Sequence, residues 1–271
     1  MTSDAVGRPP LDATRLASVD PDLLPGLTVE VVEEAGSTNA LVAERARGGA
    51  DEGLVVVAEH QTAGRGRLDR SWETPARSAL TFSLLVRPTA PAATWPWLPL
   101  LVGYAVDKAL KAAGFEAAVK WPNDVLLDGR KVAGILVERI ETSTGPAAVV
   151  GVGLNVGMTA DELPVPEATS LAVAGGSVPD RTDLLVAVLA SVWESYAAWQ
   201  EGGEPASRRL AESYAAACAT IGSEVRVELP SGETLTGLAT GIDPSGSLLE
   251  EHAGQRTSVS AGDVVHARTA G

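Results

Sequence analysis

The stretch Ala63–Trp72, AGRGRLDRSW, sets Arg65, Arg67 and Arg70 on a backbone freed by Gly64 and Gly66. Guanidinium forks pair with phosphate or carboxylate through parallel hydrogen bonds. Glycines let backbone N–H groups come close to such an anion. Trp72 adds a π face, and stacking a base on an aromatic is worth roughly 1–3 kcal/mol. A solvated basic turn is the competing reading. The two glycines and the tryptophan favour an anion that carries an aromatic base. Asp69 stands among the arginines as a local counter-charge.

Three other stretches hold candidate chemistry. In KWPNDVLLDGRKVAGILVE, residues 120–138, Lys131 opens an apolar strand. An ammonium there is costly unless it meets an anion, and it could neutralise charge building up on phosphate or carboxylate. A plain strand-end charge is the alternative. Asn123 and Asp124 follow a Trp-Pro pair whose ring restricts the backbone. They either cap a turn or coordinate a hydrated Mg²⁺. GVGLNVG, residues 151–157, is one residue too long for a dinucleotide fingerprint and has no helix pattern behind it. It reads as a buried strand with close backbone packing, in which Asn155 needs a partner. In GSTN, residues 36–39, Ser37 or Thr38 suits a helix N-cap, and helix N-termini also receive polar ligand groups. The sequence holds neither a G-x-x-x-x-G-K-[ST] phosphate loop nor a G-x-S-x-G nucleophile elbow.

The elements that must position these residues follow from periodicity. LTVEVVEE reads as a strand, and ALVAERARGG as a helix closed by glycines. GLVVVAEHQ and SALTFSLLVRP are apolar strands on either side of the arginine loop. Residues 95–114 read as a helix, and three strand-like pieces follow, with a hairpin turn at Asp128-Gly129. This is not a regular strand–helix alternation, so the expected fold is α+β: a mixed sheet with helices on one side. Leu185, Val188, Leu189, Val192, Tyr196 and Trp199 share one helix face and belong to the core. A second helix lies near residues 205–220. Short strands punctuated by glycine turns then predict a small all-β module over residues 221–271, after a main domain over 27–220. Residues 1–26, rich in Pro, Asp and small side chains, read as a weakly ordered arm.

Composition narrows the class. A chain of 271 residues accommodates a large domain and a small one, and 45% hydrophobic with 21% charged residues is globular rather than disordered. A net charge of -14 argues against nonspecific nucleic-acid binding, which needs cations facing phosphates. Cys218 is the only cysteine, so no internal disulfide forms, and its small apolar neighbours predict a buried thiol. His60, His252 and His266 lack metal-like spacing. The N-terminus has no signal-peptide pattern, and no apolar run reaches the ~20 residues that span a bilayer. The expectation is a soluble, cytoplasmic protein with no membrane partner.

In their order along the chain, GSTN, EHQTAGRGRLDRSW, KWPND, RKVAGILVE and GVGLNVG resemble the biotin–protein ligase family. The resemblance covers about residues 28 to 160 by motif, and the terminal β module extends it. It implies a catalytic domain like that of class II aminoacyl-tRNA synthetases, followed by an SH3-like barrel. It also implies ATP with Mg²⁺, biotin as substrate, and the biotin carrier domain of an acyl-CoA carboxylase as acceptor. By motif, Ser37, Thr38, Asn39, Gln61, Gly64 and Gly134 would surround biotin, with Arg65, Gly66, Arg67 and Lys131 closing over it. Arg65, Arg67, Arg70, Trp72, Asn123, Lys131 and Asn155 would hold ATP and the adenylate. Lys131 and Arg67 would be catalytic, with Asp124 the one candidate metal ligand. Many members carry glycine where this chain has Asp69. The short N-terminal segment implies a form lacking a DNA-binding domain, with no repressor role and no DNA partner. Rival readings are a lipoate– or octanoate–protein transferase and a non-catalytic biotin or nucleotide sensor.

Overall fold

A computed structural model describes residues 7–68, 70–175, 177–229, 232–260 and 262–266. Asp69 and residues 1–6 lie outside the described residues. Seven strands form the main sheet: β1 (Thr28–Ala35), β2 (Leu54–Gln61), β3 (Ala79–Val86), β4 (Ala117–Lys120), β5 (Asp124–Leu127), β6 (Arg130–Thr142) and β7 (Gly145–Asn155). Their order is β1-β2-β3-β7-β6-β5-β4. Only β1 and β2 pair in parallel. A parallel pair needs a crossover, and α2 (Thr38–Arg47) provides it. β3 is buried along its whole length and lies inside the sheet, between β2 and the central β7. β5 and β6 join through Asp128 and Gly129, both with positive φ (48° and 72°), the backbone that a two-residue hairpin turn requires.

Helices cover both faces of this sheet, which corrects the expectation of one. α3 (Trp97–Ala112) and α5 (Arg181–Glu201) bury Leu98, Leu101, Leu185 and Val188 with Val55, Val57 and Phe82. α2 lies on the opposite face, where Val42 and Ala46 meet Val56, Leu85 and Val149. The physical reason is that β2 and β3 are apolar on both sides, so both sides need cover. The short α4 (Leu171–Ala174) and α6 (Gly203–Ala217) complete the helices that follow β7. A second sheet holds β8 (Glu224–Glu228), β9 (Thr234–Ile242), β10 (Leu248–His252), β11 (Gln255–Val259) and β12 (Asp263–His266), in the order β11-β10-β9-β8-β12. Among the described residues no helix is long and apolar enough to cross a membrane.

The N-terminal segment also departs from its reading as a weakly ordered arm. It forms α1 (Ala13–Ala17), and Leu11, Leu16 and Leu24 enter the main core. A buried ion pair anchors it. Arg181 Nη2 donates to Glu59 Oε2 at 2.7 Å and to Pro9 O at 2.8 Å, and Nη1 donates to Ala79 O at 3.2 Å. Glu59 also accepts from Leu11 N–H. Composition does not reveal this, because the partners lie far apart in sequence. Removing one member of a buried pair strands the other's charge. Arg181→Ala is therefore expected to cost about 3–5 kcal/mol of stability in urea unfolding. Arg226→Ala, which breaks the exposed pair with Glu228, should leave the midpoint unchanged.

Candidate active site

The arginine loop is held by its own backbone. Gly66 N–H donates to Arg70 O at 2.6 Å, Arg70 N–H to Arg67 O at 3.2 Å, and Trp72 N–H to Gly64 O at 2.9 Å. A Cβ on Gly64 would lie 2.3 Å from Trp72 O, so only glycine permits this closure. The closed loop roofs a cleft of about 120 Å³. Ser37, Thr38 and Asn39 line it from the start of α2, and Gln61 from the end of β2. Arg65, Gly66, Arg67, Arg70 and Trp72 line it from the loop. Asn123, Asp124, Lys131 and Gly134 come from β5 and β6, and Gly151 and Gly153 form the floor on β7.

Each polar group is held in place. Thr38 N–H, one of the unpaired donors at a helix start, is met by Gln61 Oε1 at 2.8 Å. Ser37 is the N-cap residue, yet its hydroxyl makes no cap bond and faces the cleft. Asn123 Nδ2 donates to Ile135 O at 2.9 Å, and its Oδ1 accepts from Arg67 Nη1 at 3.0 Å. Lys131 Nζ lies 2.6 Å from Asp124 Oδ1. The Lys131 backbone is clamped as well, donating to Glu167 O at 2.7 Å and accepting from Thr169 N–H at 2.8 Å. Arg65 Nη2 donates to Glu138 Oε2 at 2.8 Å. The Trp72 indole lies on the floor: a Cβ on Gly153 would fall 2.4 Å from its Cε2. Lys131 Nζ stands 5.8 Å from the Trp72 ring centroid, within cation–π range. Trp72 Nε1 is buried with no partner.

Two residues expected in the site stand elsewhere. Asn155 does not line the cleft. It is buried and donates to Thr169 O at 2.9 Å, so it fastens the loop that clamps Lys131. A buried amide on β7 took the nearest carbonyl as its partner. Gly64 closes the arginine loop without lining the cleft. Nor do the described residues include a group of three or more His, Cys, Asp or Glu fit to hold a metal. Asp124, the one candidate, is paired with Lys131, so these residues do not fit a protein-held Mg²⁺.

Sequence reading missed Glu138 and Ser83. Ser83 left a signal, as a hydroxyl inside an otherwise buried apolar strand. Glu138 left little, because its partners come from the loop and from α2.

The cleft defines a class: a site that gathers Arg65, Arg67, Arg70 and Lys131 beside the Trp72 ring, suited to an anionic ligand that carries an aromatic group. Residues 33–155 match the biotin/lipoate A/B protein ligase family, and residues 220–267 match the biotin protein ligase C terminal domain. A biotin–[acetyl-CoA-carboxylase] ligase of Mycobacterium tuberculosis is 42% identical, covering 96% of this chain and 97% of that protein. Another from Paracoccus denitrificans is 34% identical over 77% of this chain and 88% of its own. A solved biotin protein ligase from Aquifex aeolicus, in complex with biotin and ATP, matches with a TM-score of 0.76 at 27% identity, over 89% of this chain and 99% of that one. The chain belongs to the biotin protein ligase family.

The floor geometry gives a prediction that needs no ligand. Gly153→Ala should force the Trp72 indole off the sheet, because overpacking is relieved most cheaply by the loop side chain. The near-UV circular dichroism of the tryptophans should change while the far-UV spectrum does not. An unchanged near-UV spectrum would mean that the indole does not rest on Gly153.

Proposed function

We propose that this protein activates biotin with Mg-ATP and then transfers it to a lysine of a carboxylase carrier domain. The observation that carries the reading is the cleft itself, where Lys131, Arg67 and Arg65 converge above a glycine floor beside Trp72. In the first step a biotin carboxylate oxygen bonds to the α-phosphorus of ATP. The α-phosphorus–oxygen bond to the β-phosphate breaks and pyrophosphate leaves. In the second step the carrier lysine's amine bonds to the acyl carbon of biotinyl-5′-adenylate, the acyl–oxygen bond breaks, and AMP leaves. The amine proton passes to solvent.

The chemistry fixes what the side chains must do. Two anions repel until cations stand at their join, and positioned charge in a water-poor cleft is the main source of rate. Lys131 takes that role, exchanging Asp124 for the carboxylate and α-phosphate; its pairing with a carboxylate in the cleft supports this. Arg67 and Arg65 hold the adenylate phosphate, with Arg70 beside them. Ser37, Thr38, Asn39 and Gln61 form the polar end of the biotin pocket, and the adenine lies against Trp72. Mg²⁺ enters as part of the nucleotide substrate. The acceptor is the biotin carrier domain of an acyl-CoA carboxylase, and the reaction belongs to the cytoplasm, where ATP and such carriers meet.

ATP–pyrophosphate exchange tests the reading, with biotin, lipoate and octanoate supplied in turn. Exchange should require biotin. Exchange with lipoate or octanoate instead would move the protein to the other branch of its family, and biotin binding without any exchange would make it a sensor. Lys131→Ala should lower the exchange rate roughly 10²–10³-fold, as for loss of one stabilising group at a developing charge. Normal exchange in that variant would remove Lys131 from the mechanism. Arg67→Ala should release the adenylate faster, measured as the half-life of enzyme-bound biotinyl-adenylate.

A further inference from the structure

The small β module carries one residue that breaks its own pattern. Alternation along β10 turns Leu248 and Glu250 to the buried face and Leu249 and Glu251 to the other. Leu248 packs there with Val225, Val227, Ala239 and Val259. Glu250 lies between Ala239 of β9 and Thr257 of β11, a position suited to an apolar side chain. It is a carboxylate instead, only 2% exposed. Its Oε1 is buried and has no hydrogen-bond partner among the described residues. Gly237 of β9 makes the room, because a Cβ there would collide with that oxygen.

A carboxylate taken out of water is costly unless it is paired, so an unpaired one on a core face needs a reason. Arg256 is not its partner. That residue stands opposite Glu251 on the other face, with its guanidinium 4.0 Å from the Glu251 carboxylate. Glu250 instead borders a surface cleft of about 410 Å³ against β9, β10 and β11. Thr234, Thr236 and Thr257 line it with hydroxyls, and Gln255 with an amide. These are neutral acceptors around one charged acceptor. Among the described residues no Lys or Arg lines the cleft, and it shares no residue with the arginine cleft.

We propose that the cleft beside Glu250 is a second binding site, one that takes a primary ammonium group. An ammonium brings a positive charge and three N–H donors. One donor meets the Glu250 carboxylate, and the others reach the threonine hydroxyls. The bound cation supplies the partner that the fold withholds from Glu250. The net charge of -14 favours the approach of any cation, but a quaternary ammonium has no donor to give. A free alkylamine and a lysine side chain of a partner protein present the same group. The site is independent of the biotin reading, and neither depends on the other.

Amide NMR of the isotope-labelled full chain tests the site, with n-butylamine hydrochloride titrated at fixed pH and ionic strength. The Gly237, Glu250 and Thr257 amides should shift saturably, with a Kd on the order of 1–10 mM. Tetramethylammonium chloride should leave them in place. Glu250→Gln keeps the shape and removes the charge, and should weaken binding about tenfold or more. Glu250→Leu should abolish binding and raise the melting temperature, since an apolar side chain replaces an unpaired buried carboxylate. It keeps the test valid if the glutamine variant folds poorly. A blocked lysine peptide separates the sources: tighter binding than n-butylamine identifies a protein lysine, and equal or weaker binding a free amine. The proposal is overturned if neither n-butylamine nor the peptide gives a saturable shift, or if tetramethylammonium gives the same one. Unchanged affinity in the variants would also overturn it. So would a leucine variant that melts below wild type, because the carboxylate would then serve the module's own fold.

Discussion

The site depends on a patch of bare backbone. Gly134 on β6 pairs with Gly153 on β7, and Leu136 pairs with Gly151 one step along. No side chain rises from the three glycine positions, so the Asn39 amide and the Trp72 indole lie directly on the sheet. Asn39 fills the space over Gly151, Trp72 the space over Gly153, and Lys131 with Trp72 the space over Gly134. Glycine weakens a strand interior and often marks a close approach of another group. Here the loss is offset by position, because β7 lies between β3 and β6 and is almost wholly buried. A methyl at either β7 position would lift the roof from one side or the polar wall from the other.

Charge is arranged so that the cleft holds its cations without locking them. The protein is acidic overall, with net charge -14, yet the cleft gathers Arg65, Arg67, Arg70 and Lys131. Among the described residues, Lys131 is matched to Asp124 and Arg65 to Glu138. The side chains of Lys131 and Arg65 remain 35% and 49% exposed, and ion pairs this open to solvent are worth little. Replacing such a carboxylate with a phosphate-bearing ligand therefore costs little. The geometry is prepared in advance, and the energetic commitment waits for the ligand. The buried Arg181–Glu59 pair behaves oppositely: it is shielded from water, and its work is to fasten the N-terminal segment to the sheet.

Features carried by short local runs were legible in the sequence. Asp128-Gly129 marked its hairpin because two positive-φ positions in succession demand such residues. The arginine loop was legible because its glycines, arginines and tryptophan fall within ten positions. Contacts between distant segments were not legible. Asn155, the one polar side chain in an apolar run, read as needing a partner, and its Nδ2 finds one in a carbonyl of the loop after β7, while its buried Oδ1 has none among the described residues. Leu11, Leu16 and Leu24 were masked by neighbouring Pro and Asp, although their burial is decided by Arg181 and the core. The second face of the sheet was missed because continuous apolar strands do not say from which side a helix will come.

The small β module reaches the cleft through Trp121. The indole Nε1 donates to Gly246 O at 3.0 Å, and the Trp121 N–H donates to Thr220 Oγ1 at 3.1 Å. Trp97 on α3 makes a parallel attachment, with Nε1 donating to Pro244 O at 2.9 Å. Both tryptophans are buried in the same apolar cluster as Val225, Val227 and Leu248 of the module. Two residues beyond Trp121, Asn123 is bonded both to the Ile135 backbone and to Arg67. The turn between β4 and β5 is thus gripped on one side by the module and on the other by the arginine loop. A displacement of the module would be felt at Arg67 through three consecutive contacts, each of them a short hydrogen bond or a buried ring. The β4–β5 turn thus touches both neighbours, the module through Trp121 and the arginine loop through Asn123.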